Sequence, residues 1–228
     1  MIKAKHSKFA ELIFKPYIFR MMAKNFHSIN LIGDIGYINS DYPLILTPNH
    51  STWWDGFFVY LLNKKILNRK FYIMILEEQL SKFKFFVKLG GFSINKQTPS
   101  EIMESLRYTS SIMETNPPPV ITIFPQGELL PSFIRPLNFR KGIEIIAGLY
   151  AKPVTILPLS IKIEFLSDEK PDLFFRFGNP LVIENRFDVL SDIIRKEVES
   201  GLEIISEKIL KKEFGIQIHK GKKSVSDK

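Results

Sequence analysis

From residue 31 onward the chain alternates short, nearly continuous apolar runs with segments of helical periodicity. The runs fall at 31–38, 43–47, 71–76, 91–95, 120–124, 154–165 and 173–177, and they are rich in Ile, Val, Phe and Leu. Between them, 55–62, 77–89, 101–115 and 139–150 read as helices. Strands buried on both faces read as unbroken apolar runs, because neither face meets water. This order predicts an α/β fold, with a mixed, largely parallel central sheet flanked by helices. A last helix over 188–214 carries Leu190, Ile194, Val198, Leu202, Ile205 and Ile209 at helical spacing, with Gly215 suited to the position beyond its end. With 228 residues the chain is long enough for one domain that buries roughly 70% of its unfolded surface.

Charge divides the chain into three parts. The net charge is +8. Residues 1–30 contribute +5, residues 220–228 contribute +3, and the stretch between is neutral. We therefore expect an amphipathic, basic N-terminal helical anchor over 1–30, a main domain over 31–215 and a flexible basic tail over 216–228. Within 7–27, one straight helix has no clean apolar stripe, so a break near Pro16 into two short amphipathic segments is expected. These segments suit either the interfacial zone of a membrane or packing on the main domain. A local basic patch, Lys64, Lys65, Arg69, Lys70, Lys82, Lys84 and Lys88, faces only Glu77 and Glu78 in the same stretch. Basic surfaces serve nucleic acid, anionic lipid or solubility. An RNP-like strand, a zinc pattern and a helix-turn-helix are all missing, which disfavours nucleic acid. There is no cysteine, so disulfides, thiolate metal sites and a cysteine nucleophile are excluded. The least charged stretch, 42–63, contains Pro43, Pro48, His50 and Asp55 and is no membrane span. No signal peptide is expected, and a soluble or peripheral protein is.

Of the four histidines, His50 stands where chemistry is possible. It follows the apolar run 43–47 in Asn49-His50-Ser51-Thr52-Trp53-Trp54-Asp55, where the chain turns from strand into helix. In α/β sheets ligands bind at the carboxyl ends of strands. His50 and Asp55 lie about 140° apart on a regular helix. With His50 in the loop and Asp55 in the first helical turn, the carboxylate can instead reach one imidazole nitrogen and leave the other to accept a proton. A buried histidine satisfied by a nearby acid is the plain alternative. A second motif, Phe124-Pro125-Gln126-Gly127-Glu128, ends the run 120–124 and either sends Gln126 and Glu128 toward the expected pocket or is a plain strand-to-loop turn. Gly91 lies in Gly90-Gly91-Phe92-Ser93-Ile94-Asn95-Lys96, whose Lys96 faces the same rim. No Gly-x-Ser-x-Gly elbow supplies a serine nucleophile.

In order, these blocks and the proline-bearing run 154–160 resemble the glycerolipid acyltransferases, the family that includes lysophosphatidic acid acyltransferase. Asn49 to Asp55 is similar to the family's Asn-His-x4-Asp block, Gly91 to Lys96 to its second block, and Phe124 to Glu128 to its Phe-Pro-Glu-Gly block. The resemblance implies transfer of a fatty acyl group from a thioester of coenzyme A or acyl carrier protein to a lipid hydroxyl, with His50 as base and Asp55 as its charge partner. It implies no metal and no cofactor beyond the thioester co-substrate, a role in lipid metabolism such as phospholipid biosynthesis, and a peripheral place on the cytoplasmic face of an anionic membrane. Asn49, Gly91, Lys96, Phe124, Pro125, Gln126, Gly127, Glu128, Arg135 and Arg140 are then expected at the substrate site. The pattern also departs from the family. Lys96 stands where the family has arginine, Gln126 where it has glutamate, and Glu128 and Leu129 where it has a hydroxyl residue and arginine. Arginine's fork suits phosphate better than lysine does. A glycolipid or glycosylated isoprenoid acceptor, or a non-catalytic lipid-binding protein, therefore stands beside the lysophospholipid reading.

Overall fold

The computed structural model describes residues 1–184 and 190–223. In chain order its elements are α1 (Lys8–Asn25), β1 (Ser28–Leu31), β2 (Leu44–Pro48), α2 (Asp55–Leu62), β3 (Phe71–Leu76), α3 (Glu77–Lys82), α4 (Phe85–Lys88), β4 (Gly91–Ile94), α5 (Pro99–Met113), β5 (Val120–Thr122), α6 (Gly142–Tyr150), β6 (Val154–Glu164), β7 (Asp172–Phe177), β8 (Leu181–Ile183), α7 (Leu190–Leu210) and β9 (Ile216–Lys220). A π-helical turn, Asn63–Leu67, extends α2.

All these strands join one sheet in the order β4-β3-β5-β2-β6-β7-β1-β9, with β8 pairing on β6. The run from β4 to β6 is parallel throughout. β7 pairs antiparallel to β6, and β9 antiparallel to β1. The mixed, largely parallel α/β sheet expected from the apolar runs is the architecture found.

Strand alternation divides the core in two. Leu44 and Leu46 of β2, Val120 of β5 and Leu157 and Leu159 of β6 face one side, packed with Ile18 and Met22 of α1 and Phe57 and Phe58 of α2. Ile45, Ile121 and Ile156 face the other, against Leu106 of α5, Ile146 of α6 and Ile194 and Val198 of α7. This is the period-2 geometry of a strand with both faces covered. Each such side chain contributes about 1.5–3 kcal/mol when fully buried.

Several local expectations are corrected. Pro16 lies inside a continuous α1 and breaks nothing. It sits on the solvent side of the helix, where water can satisfy the carbonyl that loses its partner. The helix expected over 77–89 is two pieces, α3 and α4. Phe85 stacks on Phe14 at 4.9 Å and Phe86 packs on Phe57 at 5.3 Å, so tertiary aromatic contacts override the local pattern. The strand expected over 31–38 is displaced to Ser28–Leu31. Ser28 and Asn30 are buried there because Ser28 donates to Asp172 (2.5 Å) and Asn30 donates to Ser28 (2.5 Å). Residues 216–220, expected within a flexible tail, form β9. The beginning of the helix expected over 188–214 lies outside the described residues.

Candidate active site

The sheet brings the motif blocks to one edge. Parallel register aligns Leu46 with Thr122 and with Leu157, and Leu76 with Ile94. The segments following β2, β4 and β5 therefore leave from the same carboxyl edge, where α/β sheets bind ligands.

His50 sits in the turn between β2 and α2. Its Nδ1 lies 2.7 Å from Oδ2 of Asp55, the first residue of α2. Asp55 has no exposed surface. Its Oδ2 also accepts from the backbone N–H of Ser51 (2.8 Å) and Thr52 (3.0 Å), and its Oδ1 from the Thr52 hydroxyl (2.9 Å). Two main-chain N–H groups and a hydroxyl thus converge on this carboxyl at the N-terminus of α2 and fix its orientation beside the ring. Because a carboxylate only accepts, the proton between the two residues belongs to His50 Nδ1, and in the neutral ring Nε2 keeps a free lone pair. The imidazole stacks on Phe124, with ring centroids 4.2 Å apart and planes inclined by 28°.

Beside His50 opens a cavity of about 610 Å³. Its polar lining includes His50, Lys96, Glu128, Arg140 and Lys141; most of the rest is apolar, including Ile73, Leu106, Ile123, Ile143 and Ile146. Lys96 Nζ donates to the Gly127 carbonyl. Burial, with help from Arg140, lowers the Lys96 pKa below the ordinary lysine range, against the opposing pull of Glu128. Arg140 Nη2 lies 3.8 Å from Glu128 Oε1, both side chains largely exposed, which makes a weak pair. Gly127 has φ +71°, and a Cβ there would come within 2.9 Å of Arg140 Nε, so glycine permits both the turn and the approach of the guanidinium.

Of the residues expected at the substrate site, Lys96, Phe124, Pro125, Gly127, Glu128 and Arg140 line this cavity with His50. Four do not. Asn49 is buried and turned away: its Nδ2 donates to Ile161 O (3.0 Å) and its Oδ1 accepts from Ile161 N–H (2.8 Å), tying the turn to β6. Gly91 lies where a Cβ would press on the Phe86 carbonyl, so it serves the close approach of α4 to β4. Gln126 is buried against the backbone of His50. Arg135 donates to its neighbours' carbonyls, Ser132 O (3.0 Å) and Ile134 O (2.6 Å), at the surface. Trp53, Phe86 and Lys141 line the cavity without having been anticipated. Trp53 lies within the first block, where its half-exposed ring was a signal only in hindsight of the cavity. Among the described residues no cluster of three or more His, Asp or Glu could hold a metal ion, and no helix is long and apolar enough to cross a membrane.

A protein-family model described as Acyltransferase matches residues 31–162. No curated protein matches the chain significantly. Among solved structures, the 1-acyl-sn-glycerophosphate (LPA) acyltransferase PlsC from Thermotoga maritima is similar, with a TM-score of 0.60 and 17% sequence identity over 87% of this chain and 79% of that chain. At that identity the likeness is one of fold.

Proposed function

The chain belongs to the acyltransferase family, and from that premise we propose that it moves a fatty acyl group from a thioester of coenzyme A or acyl carrier protein to a hydroxyl of a lipid acceptor such as a lysophospholipid. One observation carries the reading: His50, bonded to the buried Asp55, lines a largely apolar cavity. His50 Nε2 takes the proton of the acceptor hydroxyl while the oxygen attacks the thioester carbonyl. Asp55 steadies the imidazolium that forms. The tetrahedral oxyanion collapses, the C–S bond breaks, and the thiolate leaves and can recover the proton from His50. The acyl chain occupies the cavity's apolar body. This chemistry asks for no cofactor beyond the thioester co-substrate.

Along the lining, Lys96, Arg140 and Lys141 outnumber Glu128, which favours a phosphate on the acceptor or the donor. A second reading, a sugar-bearing neutral acceptor, draws on the pairing of Arg140 with Glu128 and the engagement of Lys96 by Gly127 O. The enzyme works peripherally at the cytoplasmic face of an anionic membrane, with α1 as anchor: Phe9 (73% exposed), Leu12 (73%), Ile13 (51%) and Tyr17 (56%) form an uncovered apolar stripe among basic residues.

The test is acyl transfer from a long-chain acyl-CoA, and separately from acyl carrier protein, to a lysophospholipid and to a neutral glycolipid. His50→Ala is expected to abolish transfer in a protein that still folds. Full turnover by the folded variant refutes the mechanism. The acceptor arm that yields product decides between the two acceptor classes.

A further inference from the structure

Gln126 was expected on the acceptor rim, and its environment says otherwise. It is 3% exposed and does not line the cavity. Its Oε1 accepts from the backbone N–H of His50 (2.7 Å), and its Nε2 donates to the His50 carbonyl (3.3 Å). One side-chain amide thus answers both main-chain groups of a single residue, 76 positions away. The same carbonyl also receives the N–H of Leu130 (3.1 Å).

His50 needs such a hold. It lies in an irregular turn, between the end of β2 at Pro48 and the start of α2 at Asp55, and while Asn49 ties the turn to β6, the N–H and C=O of His50 itself belong to neither sheet nor helix. Asp55 and Phe124 orient the ring. Nothing in the ring's own contacts sets where the Cα of His50 stands relative to the cavity. The loop after β5 supplies both Phe124, under the ring, and Gln126, under the backbone. Ring and main chain are therefore referenced to one loop.

We propose that Gln126 is a positioning residue for the base. It acts through the His50 main chain and never touches substrate, and in this chain the amide serves as both donor and acceptor where the family carries a carboxylate. The inference rests on the reading of His50 as base. A carboxylate at this position keeps the acceptor half of the clamp but sets a negative charge against the His50 carbonyl. Once protonated, it regains a donor. A buried carboxyl takes up its proton at higher pH than an exposed one.

The experiment compares wild type, Gln126→Met and Gln126→Glu in steady-state acyl transfer, with circular dichroism to establish folding. For Gln126→Met the expectation is a kcat loss of roughly 10–100-fold, the scale of a small misplacement of a reacting group, with KM for both substrates unchanged. Gln126→Glu should fall between, and its kcat relative to wild type at the same pH should rise as pH falls. Three results overturn the proposal: a folded Gln126→Met with kcat within about twofold of wild type, a loss confined to the acceptor KM, or a Gln126→Glu ratio that does not rise at low pH. If Gln126→Met does not fold, the pH trend of Gln126→Glu decides alone. His50→Ala run alongside separates the two levels. Full activity there removes the base itself, whereas inactive His50→Ala with fully active Gln126 variants removes only the clamp.

Discussion

Asp55 is the residue on which the His50 geometry depends most, because one buried carboxylate answers an imidazole, two main-chain N–H groups and a hydroxyl. Asp55→Asn keeps the shape and changes the chemistry. The amide must present either its oxygen or its NH2 to the ring, and with NH2 toward Nδ1 the proton moves to Nε2, where the base is needed. We expect kcat to fall by about 10³-fold or more with a modest change in melting temperature; a loss under about tenfold would mean that His50 is held by other groups. Asn49 and Gln126 show where reading the sequence stops. Both are polar residues in motifs that end strands; Gln126 was expected to face substrate from that position, and Asn49 from the family resemblance. Both instead answer backbone groups 112 and 76 positions away. Residue type and motif cannot tell a rim amide from a clamp, since the difference lies only in which way the side chain turns and what the fold brings opposite it.

Elements buried on both faces were the legible ones. β2, β3, β5 and β6 carry enough apolar area that no other assignment suits them, and their order already implied the sheet. The marginal elements were not legible. β9 is mostly exposed, and it exists because β1 offers it an edge. At the other edge of the sheet, residues 1–7 lie as a strap. Ser93 N–H donates to Ile2 O (2.8 Å), and Lys5 and Ser7 N–H donate to Val87 O (2.9 Å) and Lys88 O (3.0 Å). The strap covers part of what would be an open strand. His6 closes it: Nε2 lies 2.8 Å from the Phe71 carbonyl, and the ring meets Tyr72 edge-on. Burial, with Lys70 and Lys64, lowers the His6 pKa below 6.5, against Glu11 and the bond to Phe71. The unfolded chain therefore takes up this proton at higher pH than the folded one. The contribution of His6 to stability is whole above about pH 6.5 and shrinks as pH falls below it. Thermal melts should show stability declining from about pH 7.5 to about pH 5.5. His6→Gln, which can still donate to Phe71 O but does not titrate, should flatten that slope in part. His219, also lowered by burial, accounts for some of the remainder. An unchanged slope in His6→Gln would remove the strap from the account.

For the whole molecule, the basic C-terminal segment is remote in sequence from the end of α1 and adjacent to it in the fold. Lys222 N–H donates to Ala23 O (2.7 Å), Gly221 N–H donates to His27 O (2.8 Å), and His219 meets Phe19 of α1 edge-on. Lys65, from the local basic patch, lies over the same Phe19 ring at 5.7 Å. Lys220 and Lys222 thus lie beside the C-terminal end of the helix that also exposes Phe9, Leu12, Ile13 and Tyr17. Juxtaposition of this kind favours one docking face, in which each surface cation contributes about 1 kcal/mol toward anionic lipid and the apolar stripe adds burial. It also dictates how the face is tested. Deleting 1–27 would remove Ile18, Met22 and Phe26 from the core, and deleting from 216 would remove a strand, so both truncations confound folding with binding. Substitutions at exposed positions avoid this. Leu12→Ser with Ile13→Ser should weaken binding to vesicles containing anionic phospholipid at low and high salt alike. Lys222→Glu with Lys223→Glu should weaken it at low salt and matter little near 1 M, where the screening length falls to about 3 Å. Neutral vesicles should bind less in every case. Unaltered binding by both folded variants would detach the membrane from this face, while leaving the chemistry at His50 untouched.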